Sequence, residues 1–482
     1  MNRKMVLNTI GKLSLTEAVL LLLPAMVSLC YKEFNIFLGY VIVSVIAAAI
    51  GIVLCLAFKP KDHVIYAKEG FVIVAGAWLW VSLIGCLPFI ITDEIPNFAN
   101  AFFETVSGFT TTGSSILTDV EALSHGNLFW RSFTHWVGGM GVLVFVMAIM
   151  PNMSDRSIHI LRAEVPGPVV GKIVPRLKDT AKILYLIYIA FTVLEIVLLL
   201  SGGMNLFESS VHAFGTAGTG GFGIKADGIA SYSPYLQWVI AIFMLIFGIN
   251  FNLYYLILIR RIKDVFKSTE LWIYVAIVLI SSGIITANII DKFETFSEAV
   301  RTSVFQVSSV ITTTGYTTAD FNLWPGLSKG ILLLLMFVGG CAGSTAGGLK
   351  VSRAAILFKS VGREFKKMLH PRAVKSVHFE GKPVDESVVR GAATYFTVYI
   401  ICLLSCFLLI SFEPFSFETN FSASVTCFNN IGPGFDLVGP AGNFVAYSGF
   451  SKIVLSGAML LGRLEIFPLL LFFSPSTWTK KG

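Results

Sequence analysis

Runs of about twenty apolar residues recur ten times along this chain, and that repetition restricts its fold more than any single motif does. They lie near 14–30, 36–58, 70–92, 128–150, 181–201, 234–259, 270–290, 328–358, 390–412 and 448–473. Each can cross a hydrocarbon core about 30 Å thick, whereas the strands of a membrane barrel show short alternating segments instead. Of the 482 residues, 55% are hydrophobic and 13% charged; a water-soluble domain carries about 25% charge. A soluble enzyme is thereby excluded. The expected fold class is an all-α membrane protein of ten transmembrane helices. The first run ends in Tyr31-Lys32-Glu33 without a small-x-small exit, so it reads as a membrane helix and not a cleaved signal.

The formal charge of +7 would suggest a nucleic-acid partner if its location were ignored. Lys and Arg gather in alternate connections: Arg3, Lys4 and Lys12; Lys59, Lys61 and Lys68; residues 151–182; Arg260, Arg261, Lys263 and Lys267; and the stretch from Lys350 to Arg390. The segments between runs three and four and between nine and ten hold Asp93, Glu94, Glu104, Asp119 and Glu121, and Glu413, Glu418 and Asp436. Positive connections stay cytoplasmic, so both termini are expected inside, and no nucleic-acid partner is called for. The seven cysteines form no disulfide or metal pattern, and His63, His135, His159, His212, His370 and His378 fall in no metal or triad spacing.

After the first two runs, each outer connection contains an apolar stretch too short to span and a Gly/Thr/Asn-rich end. These read as re-entrant loops, which are tolerable at membrane depth only where buried in protein or facing water. Superposed, they give Phe109-Thr110-Thr111-Thr112-Gly113, Phe214-Gly215-Thr216-Ala217-Gly218, Ile311-Thr312-Thr313-Thr314-Gly315 and Phe428-Asn429-Asn430-Ile431-Gly432, with glycines 105, 97 and 117 residues apart. A phenylalanine stands ten or eleven residues before each glycine, at Phe103, Phe207, Phe305 and Phe421. The expected organisation is an N-terminal two-helix extension over 1–60 and four pseudo-repeats of helix, re-entrant pore loop and helix over 61–155, 156–265, 266–385 and 386–482, around one central ion pore. Four converging loops offer the backbone carbonyls that replace a monovalent cation's hydration shell. Glycine permits the backbone angles that turn those carbonyls to one side.

A second constellation is Gly339-Gly340-Cys341-Ala342-Gly343-Ser344-Thr345-Ala346-Gly347-Gly348-Leu349-Lys350. Glycine costs a helix roughly 1 kcal/mol relative to alanine, so a break below the third loop is expected, set against the alternative of close helix packing through small residues. The gating residues of that reading are Gly340, Gly343, Ser344, Thr345, Gly347, Gly348 and Lys350, with Arg463. Milder glycine clusters follow the other loops, at Gly138, Gly139 and Gly141, at Gly248, and at Gly457 and Gly462. Arg463 lies inside an apolar run, where a charge faces a partner or a water-filled cavity. The two readings are an electrostatic barrier beside the inner cavity and an ion pair, with Glu195 as a candidate partner.

Over its whole length the chain resembles the TrkH, KtrB and HKT superfamily of potassium transporters. The two extra N-terminal helices, Arg162-Ala163-Glu164-Val165-Pro166-Gly167-Pro168 and Gly462-Arg463-Leu464-Glu465 are similar to the TrkH branch. The resemblance implies potassium uptake across the bacterial inner membrane through a channel-like pore. It implies potassium ligands at the carbonyls of Thr111, Thr112, Gly113, Thr216, Ala217, Gly218, Thr313, Thr314, Gly315, Asn430, Ile431 and Gly432. Loops two and four depart from TTTG, and Gly220, Gly221 and Gly434 leave their register open. The resemblance further implies a homodimer and a TrkA-like cytosolic nucleotide-binding regulatory subunit, docking on the basic 350–390 and 151–182 segments, with potassium as the transported ion and no organic cofactor in this chain. A potassium symporter driven by a proton or sodium gradient remains the alternative.

Overall fold

The computed structural model describes residues 2–60, 67–141, 177–372 and 375–479. Among the described residues, six helices are long and apolar enough to cross a membrane: Arg3–Cys30, Phe34–Ala57, Lys68–Ile91, Lys182–Ser201, Thr269–Lys292 and Glu386–Ile410. Their outward faces carry Val45, Val53, Leu56 and Leu279, each more than 60% exposed. Such apolar stripes are stable facing lipid and not water.

Three other expected spans are interrupted. Over 234–259 the chain forms Pro234–Phe247 and Phe251–Leu258, bent by 90°. Over 328–358, helix Gly326–Val338 stops at Gly339 and helix resumes only at Val351–Leu369. Over 448–473, Gly449–Arg463 breaks before Phe467–Phe473, with Glu465 and Ile466 at φ +53° and +69°. Of the expected 128–150 span, the helix runs His125–Gly139 and ends at Met140 and Gly141 (φ +82°), and residues 142–150 lie outside the described residues. So do the Arg162–Pro168 motif and most of the basic 151–182 segment. The first two interruptions fall at Gly248 and Gly339, where a glycine lacks the side-chain packing and backbone restriction that keep a helix running; at the third, Gly462 lies inside the helix and the break itself is Leu464-Glu465-Ile466.

Between the long helices stand four short ones: Phe98–Phe109, Leu206–Gly218, Phe296–Ile311 and Phe417–Asn429. Each begins at a side-chain cap, Asn97 to the Asn100 N–H, Asn205 to Glu208, Thr295 to Glu298 and Ser416 to Thr419, an arrangement worth about 1 kcal/mol apiece. At about 1.5 Å per residue none reaches across a bilayer. They are packed inside the protein instead, where Phe103 and Phe305 are fully buried. Phe207 and Phe421 are only half-buried, so the four phenylalanines do not share one environment.

Candidate functional site

The four short helices end in the same way. Past the last turn one residue is left-handed, with φ of +56° at Thr111, +57° at Thr219, +55° at Thr313 and +56° at Asn430. Two residues on stands a glycine of positive φ: Gly113, Gly221, Gly315 and Gly432. The left-handed residue donates its N–H three residues back, from Thr111 to the Gly108 carbonyl, Thr219 to Thr216, Thr313 to Val310 and Asn430 to Cys427. The next donates five back, from Thr112 to Ser107, Gly220 to Gly215, Thr314 to Ser309 and Ile431 to Thr426, at 2.8–3.0 Å. This is a Schellman termination, made four times.

Hydrogen bonding therefore aligns Thr111-Thr112-Gly113, Thr219-Gly220-Gly221, Thr313-Thr314-Gly315 and Asn430-Ile431-Gly432. Three of these triplets are the expected ones, including the fourth, whose side chains differ most. The second is displaced by three residues. Thr216, Ala217 and Gly218 form the last turn of helix Leu206–Gly218, so their carbonyls lie in the helix and not in the loop. Gly218 is glycine for a packing reason, since a Cβ there would lie 2.3 Å from the His135 carbonyl oxygen. The register that these hydrogen bonds give has a partial counterpart in spacing: from cap to glycine there are sixteen residues in loops one, two and four (Asn97 to Gly113, Asn205 to Gly221, Ser416 to Gly432) and twenty in loop three (Thr295 to Gly315).

The four triplets close a ring. A Cβ on Gly113 would sit 1.9 Å from the Gly220 carbonyl oxygen, one on Gly221 2.1 Å from that of Thr314, one on Gly315 2.2 Å from that of Ile431, and one on Gly432 2.9 Å from that of Thr112. Each glycine thus receives the central carbonyl of the next loop, in order and without a gap. Both positive φ and this contact demand glycine at Gly221. Behind the ring, Thr110 and Thr112 join hydroxyls at 2.8 Å, as do Thr312 and Thr314, while Asn430 Nδ2 donates to Thr112 Oγ1 and to the Met459 carbonyl, both at 2.9 Å. All the triplet residues are buried or half-buried.

The glycine-rich break lies directly against this ring. The Gly347 N–H donates to Thr313 Oγ1 at 2.6 Å, and its Cα faces the Asn429 carbonyl closely enough to exclude a Cβ. The break is tied to helix Pro234–Phe247 through the Cys341 N–H to the Gly248 carbonyl and Thr345 Oγ1 to the Phe247 carbonyl, and beyond the bend through the Phe251 N–H to the Gly343 carbonyl. Ser344 Oγ donates to the Cys341 carbonyl and the buried Lys350 ammonium to that of Ala346, so both hold the fold of the break itself. Gly340 packs against Ala346, and Gly348 (φ +73°) against Gly339. Arg463 crosses to the break from the end of helix Gly449–Arg463: its guanidinium donates to the Thr345 carbonyl at 2.8 Å and to those of Gly138 and Gly139 at 2.6 and 2.7 Å. Glu465 pairs with Arg353, which also lies over the Tyr395 ring. The packing alternative and the gating alternative are thus not exclusive, since small residues let the break press against the ring.

With this geometry in view, comparison with known proteins is decisive. The TrkH family, described as a cation transport protein, matches residues 32–480. The chain belongs to the TrkH family. It is 35% identical to the Trk system potassium uptake protein TrkH of Escherichia coli K12 over 99% of this chain and all of that one, and 34% identical to TrkG of the same strain over 94% of each. The crystal structure of the potassium transporter TrkH from Vibrio parahaemolyticus superposes with a TM-score of 0.89 at 30% identity, covering 99% of this chain. TrkH-family proteins are transporters and not enzymes, and this one is a multi-pass membrane protein.

Sequence reasoning missed three supports of the ring in this TrkH-family chain. Glu104 and Arg131 form an ion pair at 2.7 Å, with side chains 0% and 2% exposed. The same carboxylate accepts from Ser115 Oγ and the Ile116 N–H, while Arg131 reaches the Gly223 carbonyl and lies 4.0 Å over the Phe222 ring. His135 accepts the Phe222 N–H at Nε2, which places its proton on Nδ1, donated to the Gly108 carbonyl at 2.7 Å. These residues join the segments that follow the first and second glycines. Above them opens a cavity of about 160 Å³ lined by Gly113, Gly221, Gly315 and Gly432, with Arg131 in its wall.

Proposed function

We propose that this protein takes up potassium across the bacterial inner membrane through a channel-like pore whose selectivity filter is the ring of four triplets. The carrying observation is the closed circuit in which each loop's glycine seats the next loop's carbonyl, because a site that replaces an ion's hydration shell needs oxygens converging from all sides. The ligands of this reading are carbonyls of Thr111, Thr112, Gly113, Thr219, Gly220, Gly221, Thr313, Thr314, Gly315, Asn430, Ile431 and Gly432. The short helices aim their negative ends toward the ring. Four repeats over 61–155, 156–265, 266–385 and 386–482, ten crossings with interrupted inner helices, and both termini in the cytoplasm complete the architecture. The relatives' names, which place them in a Trk system for potassium uptake, support potassium as the ion and a multi-component assembly. A homodimer and a TrkA-like nucleotide-binding subunit on the basic 350–390 surface are the partners of this reading.

The break at 339–350 is the gate, held across the inner face of the ring by Arg463. Charge-assisted hydrogen bonds are worth about 1.5–3 kcal/mol, so Arg463→Gln should raise cation flux about tenfold by loosening the break and removing a positive charge from the ion's path. Unchanged flux from a normally folded variant refutes this role.

The test of the whole reading is flux into proteoliposomes holding the purified chain, comparing potassium, rubidium, sodium and lithium, with an imposed pH gradient as a second axis. Potassium and rubidium flux that follows its own electrochemical gradient and ignores the pH gradient is expected. Flux that requires a proton or sodium gradient makes the ring the binding site of a symporter.

A further inference from the structure

Two carboxylates connect the cytoplasmic-side segment to the glycine-rich break, and neither belongs to the ring or to the break itself. Glu270, 5% exposed in the first turn of helix Thr269–Ile289, accepts the Ala342 N–H at 2.8 Å and the Ser352 N–H at 3.1 Å through one oxygen. It therefore clamps the break at both ends, and its second contact is also the N-terminus of helix Val351–Leu369, where a negative charge is favoured.

The backbone that carries Glu270 is gripped in turn. Glu380 accepts the Thr269 N–H at 3.2 Å, the Glu270 N–H at 3.0 Å and the Ser268 hydroxyl at 3.1 Å. Ser268 Oγ is also the cap that receives the Leu271 N–H. Glu380 sits at the tip of a hairpin in which His378–Phe379 pairs with Lys382–Pro383. Its φ is +51° and that of Gly381 is +70°, a turn that favours Asn-Gly or Gly-Gly. Glutamate is a costly choice at that angle, and its three contacts supply the reason. The hairpin is fixed to the helices on either side of it: Lys359 donates to the His378 carbonyl, and Val377 packs with Ile356, Val389 and Ala392.

We infer that Glu380 is a positioning residue for the gating break, acting through Glu270, so that the 378–383 hairpin controls how tightly the break is held. The inference rests on the gating reading above. Glu380 holds the helix start, the helix start aims Glu270, and Glu270 holds Ala342 and Ser352. Displacing the hairpin releases the clamp without touching the ring, so flux changes while selectivity does not.

The experiment compares potassium and sodium flux of Glu380→Gln, Glu380→Gly, Glu270→Gln and the Glu270→Gln/Glu380→Gln double variant in proteoliposomes of the full chain, with Arg463→Gln alongside. Both Glu380 variants are expected to raise potassium flux about tenfold with an unchanged potassium-to-sodium ratio, and the double variant to match Glu270→Gln alone, because the two carboxylates act in series. Glu380→Gly relieves the turn's strain, so a rise there is due to the missing carboxylate. Glu380 is exposed, and its variants carry the test even if Glu270→Gln does not fold. Flux at or below the unsubstituted level from both Glu380 variants, while Arg463→Gln raises it, overturns the relay and leaves the gate standing. A change in ion selectivity also overturns it. No change from Arg463→Gln or from any carboxylate variant overturns the gate and the relay together.

Discussion

Gly221→Ala should abolish the discrimination between potassium and sodium, while Gly223→Ala, two residues away, should leave it intact. At Gly221 the backbone has φ +77° and a Cβ would lie 2.1 Å from the Thr314 carbonyl oxygen. A left-handed angle costs an alanine about 1–2 kcal/mol, and the contact is with backbone, which cannot turn aside as a side chain can. The ring must widen between its second and third members. At Gly223 the nearest atom is His212 Nε2 at 3.6 Å, ordinary contact. The potassium-to-sodium flux ratio should fall at least tenfold, the equivalent of about 1.4 kcal/mol, in the first variant and not in the second. Size-exclusion behaviour in detergent separates a folded, unselective protein from a misfolded one. A Gly221→Ala protein that keeps full selectivity would remove the second loop from the ring as described.

Glu104→Gln should be among the most destabilising single substitutions outside the ring. The amide keeps the shape and part of the hydrogen bonding but leaves Arg131 as a buried cation with no carboxylate. Removing one partner of a buried pair costs about 3–5 kcal/mol, whereas replacing both by apolar groups of similar size is often nearly neutral. The thermal unfolding midpoint in detergent should therefore drop sharply for Glu104→Gln and recover in large part in Glu104→Gln/Arg131→Met. Equal losses in the single and double variants would mean that the pair's hydrogen bonds to Ser115, Ile116 and Gly223, and not its charge balance, hold the segments together.

Much of this architecture is written in apolar run length and glycine spacing, because bilayer thickness fixes the first and loop geometry the second. The six continuous helices, the four short ones and the break at 339–350 follow from those two signals. What escaped was the second loop's register. Glycines at 215, 218, 220, 221 and 223 make several alignments with a TTTG pattern look alike, and the choice is made by cap hydrogen bonds that a pattern of residue types does not encode. The interrupted inner helices escaped in part for a related reason: residues 234–259 read as one apolar run, and the bend around Gly248 and Asn250 is imposed by contact with the break and with Thr312, far along the chain. The ion pair of Glu104 and Arg131 joins residues 27 apart that sit on different helices, and local periodicity is blind to it. Arg463 was visible as a charge out of place, but the backbone carbonyls of Gly138, Gly139 and Thr345 that it reaches were not.

The seats in the ring all face the same way: first loop to second, second to third, third to fourth, fourth back to first. No glycine seat is returned by the loop it receives from, although the Ser114 hydroxyl does donate back to the Gly432 carbonyl at 3.0 Å. A disturbance in one member is therefore handed on in a single rotational sense and returns to its origin, so the four loops cannot settle into independent local optima. Mutational effects on ion discrimination should accordingly combine non-additively around the circuit, and a family member that alters one glycine has altered the fit of all four carbonyls at once.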